Sequence, residues 1–208
     1  MPQPQRNCPI LQKEGFIAAL VPNDLKLPAL ASLGELRDAR PIICIDTREI
    51  QPLKFTRLQA VERALFTGDY SILGLEDSFS IERKSLDDLV NCCLSSSRER
   101  FEHELHRLRG FRFKRLLIIG SREDIASGLY HSRINPKSVL STLAAFEIRY
   151  DLPVVFIGTP ETAAREIERW VWWFSRRVVE DANNLLRGCT ANLTPSAVPP
   201  ACASASPG

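Results

Sequence analysis

The sequence predicts an α/β domain in which helices flank a mixed β-sheet. Three observations point there. Short apolar runs rich in β-branched residues, at 41–46, 114–120 and 153–157, read as buried strands. Other segments place apolar residues at helical spacing. Strand signals crowd together early and alternate with helices later, the order expected of one mixed sheet with helices packed on it. With 208 residues, 44% of them hydrophobic and 25% charged, the chain can bury one good-sized core.

Residues 1–39 carry Pro2, Pro4, Pro9, Pro22 and Pro28 without a sustained period. They read as a partly ordered arm with a short helix near 30–39. The strand at 41–46 ends in Asp46, with Thr47, Arg48 and Glu49 at its exit. A second strand is expected at 61–66, ending at the Thr67-Gly68 turn. Residues 69–73 and 78–84 read as a strand pair around a turn at 74–77, so the first strands form a meander. Ser85, with Asp88 three residues on, opens a helix on which Leu86, Leu89, Val90 and Cys93 share a face. Ser95, Ser96 and Ser97 are expected to interrupt. A second helix at 98–109 aligns Phe101, Leu105 and Leu108 and stops at Gly110. After the strand at 114–120 come a short helix at 121–127 and a longer one, capped by Asn135 and opened by Pro136, to about Tyr150. The last strand, 153–157, leads into a long helix from Pro160 to about Leu186, ended by Gly188. The Ala-, Ser- and Pro-rich residues 188–208 read as a disordered tail. The expected domain is thus 40–187.

The net charge of +2 is too small to argue for nucleic acid without local clustering. Six cysteines form no C-x-x-C pair and complete no zinc site with histidine. Scattered thiols suit a reducing compartment. The sequence shows neither a signal layout nor a run of about 18 apolar residues, so a cytoplasmic protein with no membrane contact is expected. His103, His106 and His131 lie far in sequence from the acids discussed next.

Glu82 and Lys84 are two residues apart on a strand and share one face. Asp69 begins the neighbouring strand and Asp46 ends a third. Three carboxylates meeting at one sheet edge are costly to bury unless a divalent cation neutralises them. Metal-assisted phosphodiester cleavage needs such carboxylates, together with a cation near the departing charge. Each residue alone also fits a plainer role. Glu82 and Lys84 suit a solvated strand face, Asp46 a turn, Glu49 an exposed loop, and Asp88 the acid that favours a helix start.

The order of these residues resembles a known pattern. Asp69 followed by Glu82-x-Lys84 is similar to the acid, then acid-x-lysine, motif of restriction-endonuclease-like nucleases. Glu82-Arg83-Lys84-Ser85-Leu86-Asp87-Asp88 resembles the E-R-K-x-x-x-D signature of the XPF-type nuclease domain. Gly68-Asp69-Tyr70 and Asp46-Thr47-Arg48-Glu49 match that family's G-D-Y and D-x-R-E segments. Arg98, with Arg100 and Phe101 close behind, is similar to its downstream arginine-led helix. The resemblance implies a restriction-endonuclease-like fold in a single domain and a Mg²⁺- or Mn²⁺-dependent DNA endonuclease. It implies branched, forked or flapped substrates in repair or recombination. Asp46, Asp69, Glu82 and Glu49 are its implied metal ligands. Lys84 activates water, Asp88 supports Arg or Lys, and Arg48, Arg83, Arg98 and Arg100 contact DNA. No helicase segment and no paired helix-hairpin-helix module is legible, so a free-standing member of prokaryotic or phage type is expected. A homodimer through the C-terminal helices is implied as well. The last helix carries Trp170, Trp172 and Trp173 over more than one face, which suits core packing and a dimer interface alike. A non-catalytic DNA-binding scaffold and a restriction-like nuclease acting on other nucleic acid remain open readings.

Overall fold

The computed structural model describes residues 40–93 and 95–191. The arm at 1–39, its expected helix, and the tail beyond 191 lie outside the described residues.

Six strands form one mixed sheet. They are β1 (Ile43–Ile45), β2 (Ala60–Glu62), β3 (Tyr70–Ile72), β4 (Phe79–Ser85), β5 (Phe113–Ile119) and β6 (Val154–Ile157), in the order β2-β1-β3-β4-β5-β6. Strand β3 is antiparallel to β1 and β4, and the remaining neighbours are parallel. The expected meander therefore fails at β2, which lies outside β1. All three residues of β2 are exposed, so it has no apolar faces with which to fill a central slot. Tyr70, Ser71 and Ile72 are all buried and take the place beside β1. The strand expected at 61–66 stops at Glu62 because the chain then folds over the end of β1. The Arg63 amide donates to the Ile45 carbonyl at 2.9 Å, and the Leu65 amide to Asp46 Oδ2 at 2.6 Å.

Among the described residues five helices follow β4 and alternate with β5 and β6: α1 (Leu86–Cys92), α2 (Ser95–Leu108), α3 (Arg122–Ala126), α4 (Pro136–Tyr150) and α5 (Pro160–Ala191). Helix α2 begins at Ser95, so the serine run opens the helix instead of interrupting it. Ser97 Oγ donates back to the Asn91 carbonyl and ties α2 to α1. Helix α5 passes through Gly188 and reaches Ala191, a few residues past the expected end. A glycine costs a helix roughly 1 kcal/mol relative to alanine, which a helix of 32 residues absorbs. Among the described residues no helix is long and apolar enough to cross a membrane.

The pleat of β5 explains its unbroken apolar run. Leu116 and Ile118 join Leu89, Phe101, Leu105 and Phe146 under α1, α2 and α4. Leu117 and Ile119 join Tyr70, Phe79, Ile167 and Phe174 under α5. Register carries this alternation to β4, where Glu82 pairs with Leu116 and Lys84 with Ile118. Glu82 and Lys84 thus emerge together on the face covered by α1 and α2, at the carboxyl ends of the parallel strands.

The entry to β3 depends on Gly68. Its φ is +82°, and a Cβ there would stand 2.2 Å from Ser80 Oγ and 3.0 Å from the Ile81 carbonyl oxygen. That close approach lets the Asp69 amide donate to the Ile81 carbonyl at 2.8 Å. Gly68→Ala is expected to lower stability by at least about 2 kcal/mol, through a left-handed non-glycine backbone and steric conflict with β4. Urea denaturation checks this, and a loss under about 0.5 kcal/mol would remove the proposed constraint.

Candidate active site

Asp69 immediately precedes β3, and its carbonyl accepts the Asp46 amide at 2.8 Å, which sets the ends of β1 and β3 side by side. Its carboxylate turns toward β4, where Oδ2 accepts the Arg83 amide at 2.6 Å. This places Asp69 against Glu82 and Lys84, the neighbours of Arg83 in sequence. Burial, and then the charge of Glu82, push the Asp69 carboxyl up to about 7. Burial raises Glu82 as well. Lys84 Nζ donates to Glu82 Oε1, and its ammonium lies 5.5 Å from the centre of the Phe101 ring. Burial alone would lower the lysine, but Glu82 and Asp69 outweigh it and hold the ammonium charged. Among the described residues nothing donates to Asp69 Oδ1 or Glu82 Oε2.

Asp46 behaves differently. Its Oδ1 accepts the Arg48 amide at 3.0 Å and Nε at 2.6 Å. Its Oδ2 accepts Arg48 Nη2 at 3.1 Å and the Leu65 amide at 2.6 Å. Burial pushes this carboxyl up, yet the bonds from Arg48 and Leu65 prevail and hold it below the usual range. Asp46 is thereby a clamp between two loops. Glu49 forms a two-pronged ion pair with Arg83, at 2.8 and 3.1 Å. The rest of the loop that carries Glu49 is pinned twice more. The Leu53 amide donates to the Tyr70 hydroxyl at 3.0 Å. Glu168 Oε1, on α5, accepts the amides of Thr56, Arg57 and Leu58 at 2.8, 2.6 and 3.1 Å.

Some of these groups border a cleft of about 690 Å³. Of the residues singled out from the sequence, Arg48, Glu49, Asp69, Arg83, Lys84, Asp88 and Arg100 line it. Asp46 and Glu82 are buried and do not. Asp88 also closes the start of α1, since its amide donates to Ser85 Oγ at 3.1 Å and Ser85 Oγ donates to its Oδ2 at 2.7 Å. Arg98 is not brought to the cleft. It donates to Glu102 at 2.8 Å and lies 5.4 Å from the Phe146 ring, toward α4. Two residues along a helix is a turn of about 200°, so Arg98 and Arg100 point opposite ways. His131 is exposed and pairs with Asp87 on the surface. Among the described residues no three His, Cys, Asp or Glu side chains stand as a ready metal-binding group.

Two contributors escape the sequence reading. Glu104 lines the cleft with Ser97, Arg100 and Phe101, and its charge adds to the rise of Glu82. The spacing 97, 100, 101, 104 marks one helix face and was a usable signal. Tyr70 is the other: it stands in the G-D-Y segment, but its part as a loop anchor depends on a partner seventeen residues upstream that the motif does not announce.

Residues 45–169 match the ERCC4 domain. Among solved structures, the chain is similar to XPF from Aeropyrum pernix, with 19% identity over 70% of each chain and a TM-score of 0.50. A structure of XPF from Aeropyrum pernix in complex with DNA is similar at 20% identity over 66% of each chain, also at 0.50. No curated protein matches the sequence.

The raised Asp69 carboxyl has a consequence for stability. Its folded value of about 7 lies above the unfolded value near 4, so the native state holds the proton more tightly. That contribution is present below about pH 4 and is lost as pH rises toward 7. In metal-free buffer, Asp69→Asn, which keeps a carbonyl acceptor for the Arg83 amide, is expected to melt higher than wild type at about pH 8. The gap should close toward about pH 4. A difference independent of pH in thermal melts would count against a strained Asp69 carboxylate.

Proposed function

Since the chain belongs to the ERCC4 domain family, we propose that it is a metal-dependent DNA endonuclease hydrolysing phosphodiester bonds at branched, forked or flapped sites. Such a role fits DNA repair or recombination. The observation that carries this reading is a pair of carboxyl groups, half-buried Asp69 and buried Glu82, with Lys84 hydrogen-bonded to Glu82 at the wall of an open cleft. The fold is the restriction-endonuclease-like sheet of the archaeal XPF nuclease, and the complex of that protein with DNA supports DNA as the ligand.

The donor set fits Mg²⁺ or Mn²⁺. Two adjacent carboxyls, both raised by burial, Asp69 further by the charge of Glu82 and Glu82 by that of Glu104, suit a hard divalent cation, since each has one oxygen that accepts no hydrogen bond among the described residues. Asp69 and Glu82 would hold it, with Asp46 and Glu49 as the further acids of the same sheet edge. When bound, such an ion neutralises phosphate charge and activates water.

The chain's own groups account for the rest. Asp69 is oriented by the Arg83 amide, so its outer oxygen has a fixed direction. Lys84 stays protonated beside Glu82 and stabilises the negative charge that develops on phosphate as water attacks phosphorus and a P–O bond breaks. The Arg83–Glu49 pair sets the position of the opposite wall. Arg48 and Arg100, both exposed on the cleft, supply phosphate contacts. Asp88 holds Ser85 and the start of α1 behind Lys84.

Helix α5 leaves Trp173 and Leu185 more than half exposed, and we assign that surface to pairing with a second copy of the chain. Sedimentation at micromolar concentration should give a dimer, which Trp173→Glu shifts to monomer. A wild-type monomer removes the assignment.

Labelled flap, fork, four-way-junction and plain duplex DNA should be cut in Mg²⁺ or Mn²⁺ and left intact in EDTA. Asp69→Ala and Lys84→Ala are each expected to slow cleavage by about 100-fold or more. Cleavage that survives EDTA, or variants as active as wild type, would sink the catalytic reading.

A further inference from the structure

Ile50 and Phe66 are 92% and 81% exposed, which puts them among the three most exposed large hydrophobic residues described. A lone apolar side chain at a surface needs no explanation. These two differ in how they are held. Both sit on the loops that the Asp46 carboxylate ties together. Ile50 follows the turn in which the Glu49 amide donates to the Asp46 carbonyl at 3.0 Å. Phe66 follows Leu65, whose amide donates to Asp46 and whose carbonyl accepts Arg48 Nη2 at 2.9 Å. Each thus directly follows a residue whose backbone is tied to the end of β1 or its exit loop. Phe66 is backed by the Arg107 guanidinium, 6.0 Å from its ring centre, and Arg107 Nε donates to Thr67 Oγ1 at 3.1 Å. Ile50 lines the catalytic cleft beside Asp69 and Arg48.

We propose that Ile50 and Phe66 form an apolar lip that stacks on the unpaired base at a single-strand/double-strand boundary, an inference that rests on the nuclease reading above. The cleft offers cations for phosphates, and the lip offers an aromatic face and a flat aliphatic one for a base. In continuous duplex every base is stacked on both sides and presents no face to such a lip. At a branch the last unpaired base does, and stacking of this kind tolerates any sequence. The exposed guanidinium of Arg48 lies between the two loops and is placed for the adjoining phosphate. The lip would thus make selection for branched DNA a property of the nuclease domain itself.

The test uses the full chain in EDTA, so that no strand is cut. Flap DNA carries 2-aminopurine at the unpaired position next to the branch, and a continuous duplex of the same sequence is the control. Wild type should quench the probe in the flap. The double variant Ile50→Ala/Phe66→Ala should lose the quench and bind flap at least about 5-fold more weakly, with duplex affinity unchanged. Phe66→Trp should retain the quench. Both positions are exposed, and equal melting temperatures verify that the variants fold. A double variant that keeps both the quench and the flap preference overturns the lip and leaves the nuclease reading intact. Wild-type protein that binds neither DNA, in EDTA or with Ca²⁺ in place of Mg²⁺, overturns both.

Discussion

Two carboxyl groups, Asp69 and Glu82, stand side by side where water screens them poorly, and the surrounding edge of the sheet is arranged around that repulsion. One oxygen of Asp69 is met by a backbone amide and one of Glu82 by a lysine. The other oxygen of each carries no hydrogen bond among the described residues. Burying like charges this way is unfavourable for folding, and only the rest of the domain holds them there. A cation held at this edge, as proposed above, would relieve what the fold imposes.

The fold holds this edge through hydrogen bonds that reach across the chain. The loop after β1 has three anchors, at Glu49, Leu53 and 56–58, supplied by Arg83, Tyr70 and Glu168. Asp46 adds a fourth tie, to the loop before β3. None of the anchors lies on the loop itself. The wall of the cleft is therefore irregular in backbone and still fixed in position, which is the condition for a functional group carried on a loop.

Much of this was legible in the sequence, and the reasons differ by element. Strands β1, β3, β4, β5 and β6 and the helix starts at Ser85 and Pro136 follow from period and capping, which are local. The juxtaposition of Asp46, Asp69 and Glu82 was inferable from the order of acid-bearing strand ends. The position of β2 was not, because a weakly apolar strand gives no sign of which neighbour it joins. The family resemblance favours Arg98 as the phosphate contact, but the helix phase set by buried Phe101, Leu105 and Leu108 turns Arg98 away from the cleft and brings Arg100 to it. Tyr70 and Glu168 act through partners distant in sequence, and no local pattern announces them.

Glu168 lies 110 to 112 residues after the three amides that it binds. During synthesis on the ribosome, β1 to β4 and all four acids of the sheet edge emerge long before α5 does. The loop bearing Glu49 has its final anchor only when that last helix docks. A nascent chain thus carries the acids of the sheet edge before the loop beside them has its last tie.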